Sequence, residues 1–269
     1  MITNSLVKIY SIYYKNGLIP DLNKMYQPLM AGNVLSDDNP EIPGDDVFEN
    51  ISEKNPYYSE LTGIYWVWKN TNHEITGICH YRRYFTALPE PFLYRLKRLF
   101  YFPAGLYKKR FGLIYTSNIR LFTPKILSEP EVRFYLQQYD AVLPVARKLK
   151  YTVETHYRRY HYINDLTLLK SIIQQKYPDF ETAYTTVFQG KKLHANNMFI
   201  LKKPLFNEFM EWWFDILSEF ERRVDLSKKL GYQKRIIGFI AERLLNVWMV
   251  QKQLNYIELP VIYFKKLKK

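Results

Sequence analysis

A chain of 269 residues that is 47% apolar and 17% aromatic carries enough hydrophobic side chain for one large α/β domain, and its long periodic stretches exclude intrinsic disorder. No run of about 18 apolar residues is free of charge, so no helix spans a bilayer. The N-terminal residues lack a basic-then-apolar secretory layout, and the single cysteine, Cys79, excludes an internal disulfide. These features fit a cytosolic protein, and the formal charge of +13 points to a polyanionic partner: nucleic acid, anionic lipid or a phosphorylated substrate.

In chain order, Lys8 to Tyr14 reads as a buried strand, β-branched and aromatic, broken by Asn16-Gly17. Residues 20–50 are rich in Pro, Gly, Asp and Asn and read as loop. A helix is expected from Asn55 as N-cap and Pro56 as first helical residue, with Tyr58, Leu61, Tyr65 and Trp68 on one apolar face. Ile75 to Cys79 is a short buried strand that ends at His80-Tyr81-Arg82-Arg83-Tyr84. Tyr139 to Val145 and Asn197 to Lys202 read as further strands. Helices are expected at 164–176, 180–188, 204 to about 222, and about 233 to 251. Such alternation predicts a mainly parallel sheet with helices on both faces.

One stretch interrupts the pattern. Residues 88–125 hold eight basic residues against one acid and nine aromatics, and read as an insertion in a single domain covering 1–269. Interleaved rings and cations suit an anionic bilayer surface; a solvated basic hairpin with its aromatics packed inward fits the same residues.

Several groups carry chemistry. His80, Arg82 and Arg83 follow a buried strand, where ligands of open α/β sheets bind, and guanidinium forks match phosphate oxygens; a surface salt-bridge cluster is the other reading. Glu60 lies beside Ile64 and Val67 and needs a partner, whether a ribose hydroxyl, a uracil edge or an internal arginine. On the last helix Arg235, Gly238, Glu242 and Asn246 share one face. Glu242, flanked by Phe239 and Leu245, sits where desolvation suits a general base, and equally where Arg235 or Arg243 would pair with it. His161 and Asp165, four apart, read as an acid/base couple, a metal pair or a capping arrangement. Asn196-Asn197 suits sugar hydroxyls or a turn. The chain has no GxGxxG, no P-loop, no HExxH, no CxxC and no Asp-x-Asp for a hard cation. Asp37-Asp38 and Asp45-Asp46 are adjacent pairs whose side chains diverge in extended backbone.

The runs Asn50 to Asn70 and Gly77 to Phe85, with Tyr139-Asp140, Leu143-Pro144, Asn197 to Ile200 and Gly238 to Trp248, resemble the signature of domain-of-unknown-function family 4422, along nearly the whole chain except 88–125. Members resemble capsular and lipopolysaccharide glycosyltransferases, some of them galactofuranosyltransferases. The resemblance implies a GT-A-like fold, a UDP-sugar donor and an undecaprenyl-diphosphate-linked glycan acceptor, hence a cytoplasmic protein peripheral on the inner face of the cell membrane. On it, the donor falls to His80, Arg82, Arg83, Asn55 and Glu60, and the acceptor to Asn196, Asn197, His161 and Asp165. Glu242 becomes the base of an inverting transfer, with no metal ligands assigned and Mg²⁺ or Mn²⁺ admitted without being obligatory. Two departures stand out: the family's Asp-Asp-Thr-Gly-Asp-Asn is Asp45-Asp-Val-Phe-Glu-Asn50 here, which predicts loss of its glycine turn, and Ser59 replaces a frequent cysteine. The rival classes are a non-catalytic sugar-binding subunit of an assembly complex and a nucleic-acid-binding protein. Against the latter, no nucleic-acid motif is present and the charge concentrates in one stretch.

Overall fold

The computed structural model describes residues 6–265 apart from 16, 18, 21, 37–41, 94, 95 and 97–111. The chain opens with β1 (Val7–Tyr13), followed by β2 (Tyr26–Met30), a short helix α1 (Asn55–Tyr58) and α2 (Leu61–Asn70). Next come β3 (Ile75–His80), β4 (Arg83–Phe85), β5 (Leu113–Thr116), α3 (Ile119–Phe122) and α4 (Glu129–Gln138). β6 (Ala141–Pro144), β7 (Arg147–Lys148), α5 (Val153–Tyr160), α6 (Ile163–Lys176) and α7 (Glu181–Gln189) fill the middle. The last part holds β8 (Lys192–Leu193), β9 (Phe199–Lys202), α8 (Lys203–Arg223), α9 (Ile236–Gln251), β10 (Tyr256–Leu259) and β11 (Val261–Phe264).

The heart of the sheet is ordered β2-β1-β3-β9-β6-β10. All of these run the same way except β9, which is antiparallel to both neighbours, so the sheet is parallel in direction with one reversal. The chain then curls: after His80 it turns back into β4, which pairs with β11, and β11 pairs with β5.

Strand periodicity divides the buried side chains between two faces. Tyr10, Ile78, Leu143 and Leu201 join the core under α2, α6, α7, α8 and α9, while Ile9, Cys79, Val142 and Ile200 join the core covered by α4. Gly77 sits in the centre of β3, where an added Cβ would lie 2.8 Å from Ile9 Cγ1 and 3.1 Å from Ile200 Cγ1; glycine lets the two isoleucines close over the strand. On the helical side Phe209 stacks on Trp213 with centroids 4.6 Å apart and meets Trp248 at 4.8 Å. Each such ring contributes about 1.5–3 kcal/mol by leaving water.

Four features differ from expectation. β2 lies inside the supposed loop 20–50; Pro28 is tolerated because β2 is an edge strand whose only strand partner among the described residues is β1. The helix expected from Asn55 is split at Ser59, which adopts φ 54°. The Asn55 amide donates to the Ser59 carbonyl at 2.8 Å and to Thr62 Oγ1 at 3.2 Å, bridging the break. Within 88–125, residues 113–116 form β5 and belong to the sheet, whereas 94, 95 and 97–111 lie outside the described residues. Finally, the turn at 45–50 survives without its glycine: Phe48, where the family glycine would stand, takes φ 57°. Asp45, fully buried, accepts from the backbone N–H of Gly32 and Asn33 at 2.9 and 3.0 Å and from Ser52 Oγ at 2.5 Å. That carboxylate is a loop anchor.

Candidate active site

Along the carboxyl ends of β1 and β3 opens a cleft of about 690 Å³. Its walls come from Tyr13 and Tyr14 at the end of β1, the 80–83 turn at the end of β3, the α1–α2 break, the first turns of α9, the end of α5 and the loop entering β9. This is where the strand order leaves room for a ligand.

The cleft gathers most of the residues singled out from sequence: His80, Arg82, Arg83, Asn55, Glu60, Asn196, His161 and Glu242 all line it. Asn197 and Asp165 are not among its lining. Asn197 is fully buried and donates from Nδ2 to Glu60 Oε1 at 2.9 Å, so it orients a cleft carboxylate from behind. Asp165 is buried against Lys229, with Oδ1 2.6 Å from Nζ, and accepts from Tyr157 OH at 3.2 Å. His161 stands beyond the end of α5, before α6 begins, and bonds Gln233 instead, 3.0 Å from Nδ1 to Oε1. The two residues therefore do not form a couple. Asn55 reaches the cleft with its amide already committed at the helix break.

Asn196 is the hub of the site. Its backbone N–H donates to Glu242 Oε1 at 2.8 Å, its carbonyl accepts from His80 Nε2, and its side-chain oxygen accepts from Arg147 Nη2 at 3.0 Å. These bonds tie α9, β3 and β7 to one residue. The geometry requires left-handed backbone at both Asn196 (φ 75°) and Asn197 (φ 49°), which asparagine adopts at lower cost than most residues. The Asn-Asn pair is thus a turn, and the turn builds the cleft.

Because a carbonyl only accepts, His80 carries its proton on Nε2 and leaves Nδ1 as the basic nitrogen. Burial, reinforced by Arg83, pushes the His80 pKa down. His156 falls to about 4 through burial and the nearby Arg243 and Arg147, and His161 is lowered by burial as well. All three shifts favour the neutral ring, so the fixed charges dominate the field. Among the described lining residues five arginines (82, 83, 147, 235 and 243) face two carboxylates, Glu60 and Glu242. Arg235 Nη2 lies 3.4 Å from Glu60 Oε2, and Arg243 Nη1 3.3 Å from Glu242 Oε2. The internal-arginine partner foreseen for Glu60 is therefore Arg235, and that of Glu242 is Arg243. Even so, a positive excess remains, and two of its arginines, Arg82 and Arg83, stand at the 80–83 turn. There the Arg82 guanidinium lies 4.8 Å from the Tyr81 ring and 5.4 Å from Tyr263, and Arg83 lies 5.3 Å from Tyr263. Aromatic faces hold the planar forks in place, and Arg82 Nη1 also donates to the Lys265 carbonyl at 3.3 Å.

Such a site suits an anionic group bearing several oxygens, beside a carboxylate able to take a proton. Among the described residues no group of three or more His, Cys, Asp or Glu is placed to hold a metal ion. Sequence reading missed Arg147 and the aromatic supports Tyr81 and Tyr263. Arg147 had a legible signal: like Arg82 and Arg83, it lies just past the carboxyl end of a buried strand.

The family model described as Domain of unknown function (DUF4422) matches residues 8–253. The chain belongs to the DUF4422 family. Its fold is the GT-A-like α/β architecture of the solved apo structure of WbbM, a bifunctional glycosyltransferase, with a TM-score of 0.83 and 29% sequence identity. The match covers 97% of this chain and 45% of that one, so this DUF4422 chain spans less than half of WbbM's length. Among curated proteins no sequence matches it. No helix among its described residues is long and apolar enough to cross a membrane.

Proposed function

We propose that this chain is a glycosyltransferase of surface-polysaccharide synthesis, moving a hexosyl group from a UDP-sugar to a lipid-linked glycan. The observation that carries the reading is a cleft in which arginine forks at the end of β3 share one cavity with Glu242. The fold match to a bifunctional glycosyltransferase supports it.

In this reading Arg82 and Arg83 hold the donor diphosphate, and His80, fixed on Asn196, lines the same turn. Glu60, oriented by Asn197 and Arg235, faces the donor from the α1–α2 break. The acceptor hydroxyl gives its proton to Glu242 as its oxygen bonds to the anomeric carbon. The bond from that carbon to the diphosphate oxygen breaks, UDP leaves with the electron pair, and the guanidinium groups offset the charge that develops. A single displacement inverts the anomeric centre. No step requires bound Mg²⁺ or Mn²⁺. Galactofuranose is the donor sugar to test first, since the family resemblance implies it, and a lipid-linked acceptor places the enzyme at the inner face of a membrane. Of the eight basic and nine aromatic residues on which the docking role foreseen for 88–125 rests, six of each lie outside the described residues.

The test is incubation with UDP-galactofuranose or UDP-galactopyranose and lipid-linked glycan extracted from the producing cell. Mass spectrometry should show one added hexose and released UDP. An unchanged acceptor with bound polysaccharide would instead make the chain a non-catalytic sugar-binding subunit.

A further inference from the structure

One wall of the cleft is an aromatic shelf. Tyr160, the last residue of α5, and Tyr232, just before α9, both line the cleft yet remain 62% and 65% exposed. Large rings left in water at a cavity wall mark a binding surface more than a core. The shelf is rigid. Tyr232 packs on Phe239 with centroids 5.0 Å apart, Phe239 on His161 at 4.2 Å, and Tyr160 on His156 at 5.1 Å. Gln233 links the two segments, donating to the Tyr160 carbonyl at 2.8 Å while its Oε1 accepts from His161 Nδ1 at 3.0 Å. Phe239 lies one helical turn before Glu242, so the shelf runs outward from the carboxylate.

We infer that this shelf is the acceptor subsite and that it takes an oligosaccharide, with sugars behind the reacting hydroxyl stacked on Tyr160 and Tyr232. The inference rests on the transferase reading for which end of the glycan faces Glu242. A hexose ring offers a flat C–H face and a hydroxyl edge, and a tyrosine offers the complementary apolar face and polar tip. A bilayer is the other partner such rings could meet, but it needs unpaired cations beside them. Here three neighbouring cations are engaged by carboxylates: Arg158 with Glu154 at 3.1 Å, Lys228 with Asp225 at 2.9 Å and Lys229 with Asp165 at 2.6 Å. Arg159 lies over the Tyr151 ring at 4.0 Å, which leaves Lys234 as the exposed cation beside the rings. The shelf presents rings, and it presents them along the cleft.

The experiment titrates the full chain with oligosaccharides released by mild acid from the producing cell's own surface polysaccharide, with UDP present. Wild type and Tyr232→Phe, which keeps the stacking face, should bind alike. The double variant Tyr160→Ala/Tyr232→Ala should bind about tenfold or more weakly while UDP affinity is unchanged. Undiminished oligosaccharide binding by the double variant, or none by wild type, overturns the inference. So does a double variant that keeps glycan binding but loses flotation with phosphatidylglycerol vesicles, which would make the shelf a membrane patch. A chain that binds the oligosaccharide through these tyrosines but binds no UDP leaves the shelf standing and overturns the transferase reading instead.

Discussion

Replacing Glu242 by glutamine removes one charge with almost no change in volume. The carbonyl oxygen of the new side-chain amide still accepts from the Asn196 N–H that now meets Glu242 Oε1 at 2.8 Å, so the hub keeps its shape. What changes is the quality of that bond: a charge-assisted hydrogen bond contributes roughly 1.5–3 kcal/mol and a neutral one roughly 0.5–1.5. Oε2 also faces the buried Arg243 Nη1 at 3.3 Å, and the neutral amide leaves that guanidinium without its carboxylate. The loss therefore runs from about 1 kcal/mol for the first bond to about 3–5 kcal/mol with the pair included, at roughly 2–4 °C of Tm per kcal/mol for a chain of this size. Proton acceptance, by contrast, is abolished, and general-base catalysis is worth about 10²–10⁴-fold. Steady-state transfer by Glu242→Gln should show kcat down by that factor, with UDP affinity altered less than about threefold, since Glu242 touches the acceptor side. Calorimetry and a thermal melt on the same preparation separate the outcomes. A variant that melts normally and transfers at the wild-type rate refutes the role given to Glu242.

Arg82→Lys keeps the charge but loses the fork stacked between Tyr81 and Tyr263; UDP affinity measured by calorimetry should fall about 10–100-fold, and Arg82→Ala should do no better. Asp165→Ala leaves Lys229 without its carboxylate in a site where the two side chains are 4% and 9% exposed; urea unfolding should show a loss of about 3–5 kcal/mol, which an acceptor-binding role would not produce. The histidines make the fold acid-labile. His156 holds its proton less tightly folded (about 4) than unfolded (6.5), so its contribution is full above pH 6.5 and is lost as pH falls toward 4. A melt series across that window should decline for wild type and decline less for His156→Gln.

Much of the architecture was legible because strand and helix periods are strong where both faces or one stripe are buried. β1, β3, α6, α7 and α8 fall within a residue or two of their expected ranges. The failures have physical causes. β2 hides behind Pro28, which only an edge position excuses. β10 and β11 are four residues each, separated by Pro260, and find different partners in β6 and in β4 with β5, a fact of tertiary pairing and not of local pattern. Ser59 carries no sign that it will take φ 54° and split the helix.

Strand-end logic singled out His80, Arg82 and Arg83, and helix-face spacing singled out Glu242, and all four line the cleft. Asn196 was visible only as a turn or a sugar contact. Its role as hub depends on partners 116, 49 and 46 residues away, which no local pattern encodes. The His161–Asp165 spacing misled because the helix stops at Tyr160 and restarts at Ile163, so four residues did not mean one face.

The most direct test of the transferase reading is calorimetric titration of the purified chain with UDP and then UDP-galactose, in Mg²⁺ or Mn²⁺ and again in EDTA. Binding should survive EDTA, because arginines offset the diphosphate charge. Binding only with metal would contradict the arginine-based donor site, and no nucleotide binding in any buffer would contradict the transferase itself.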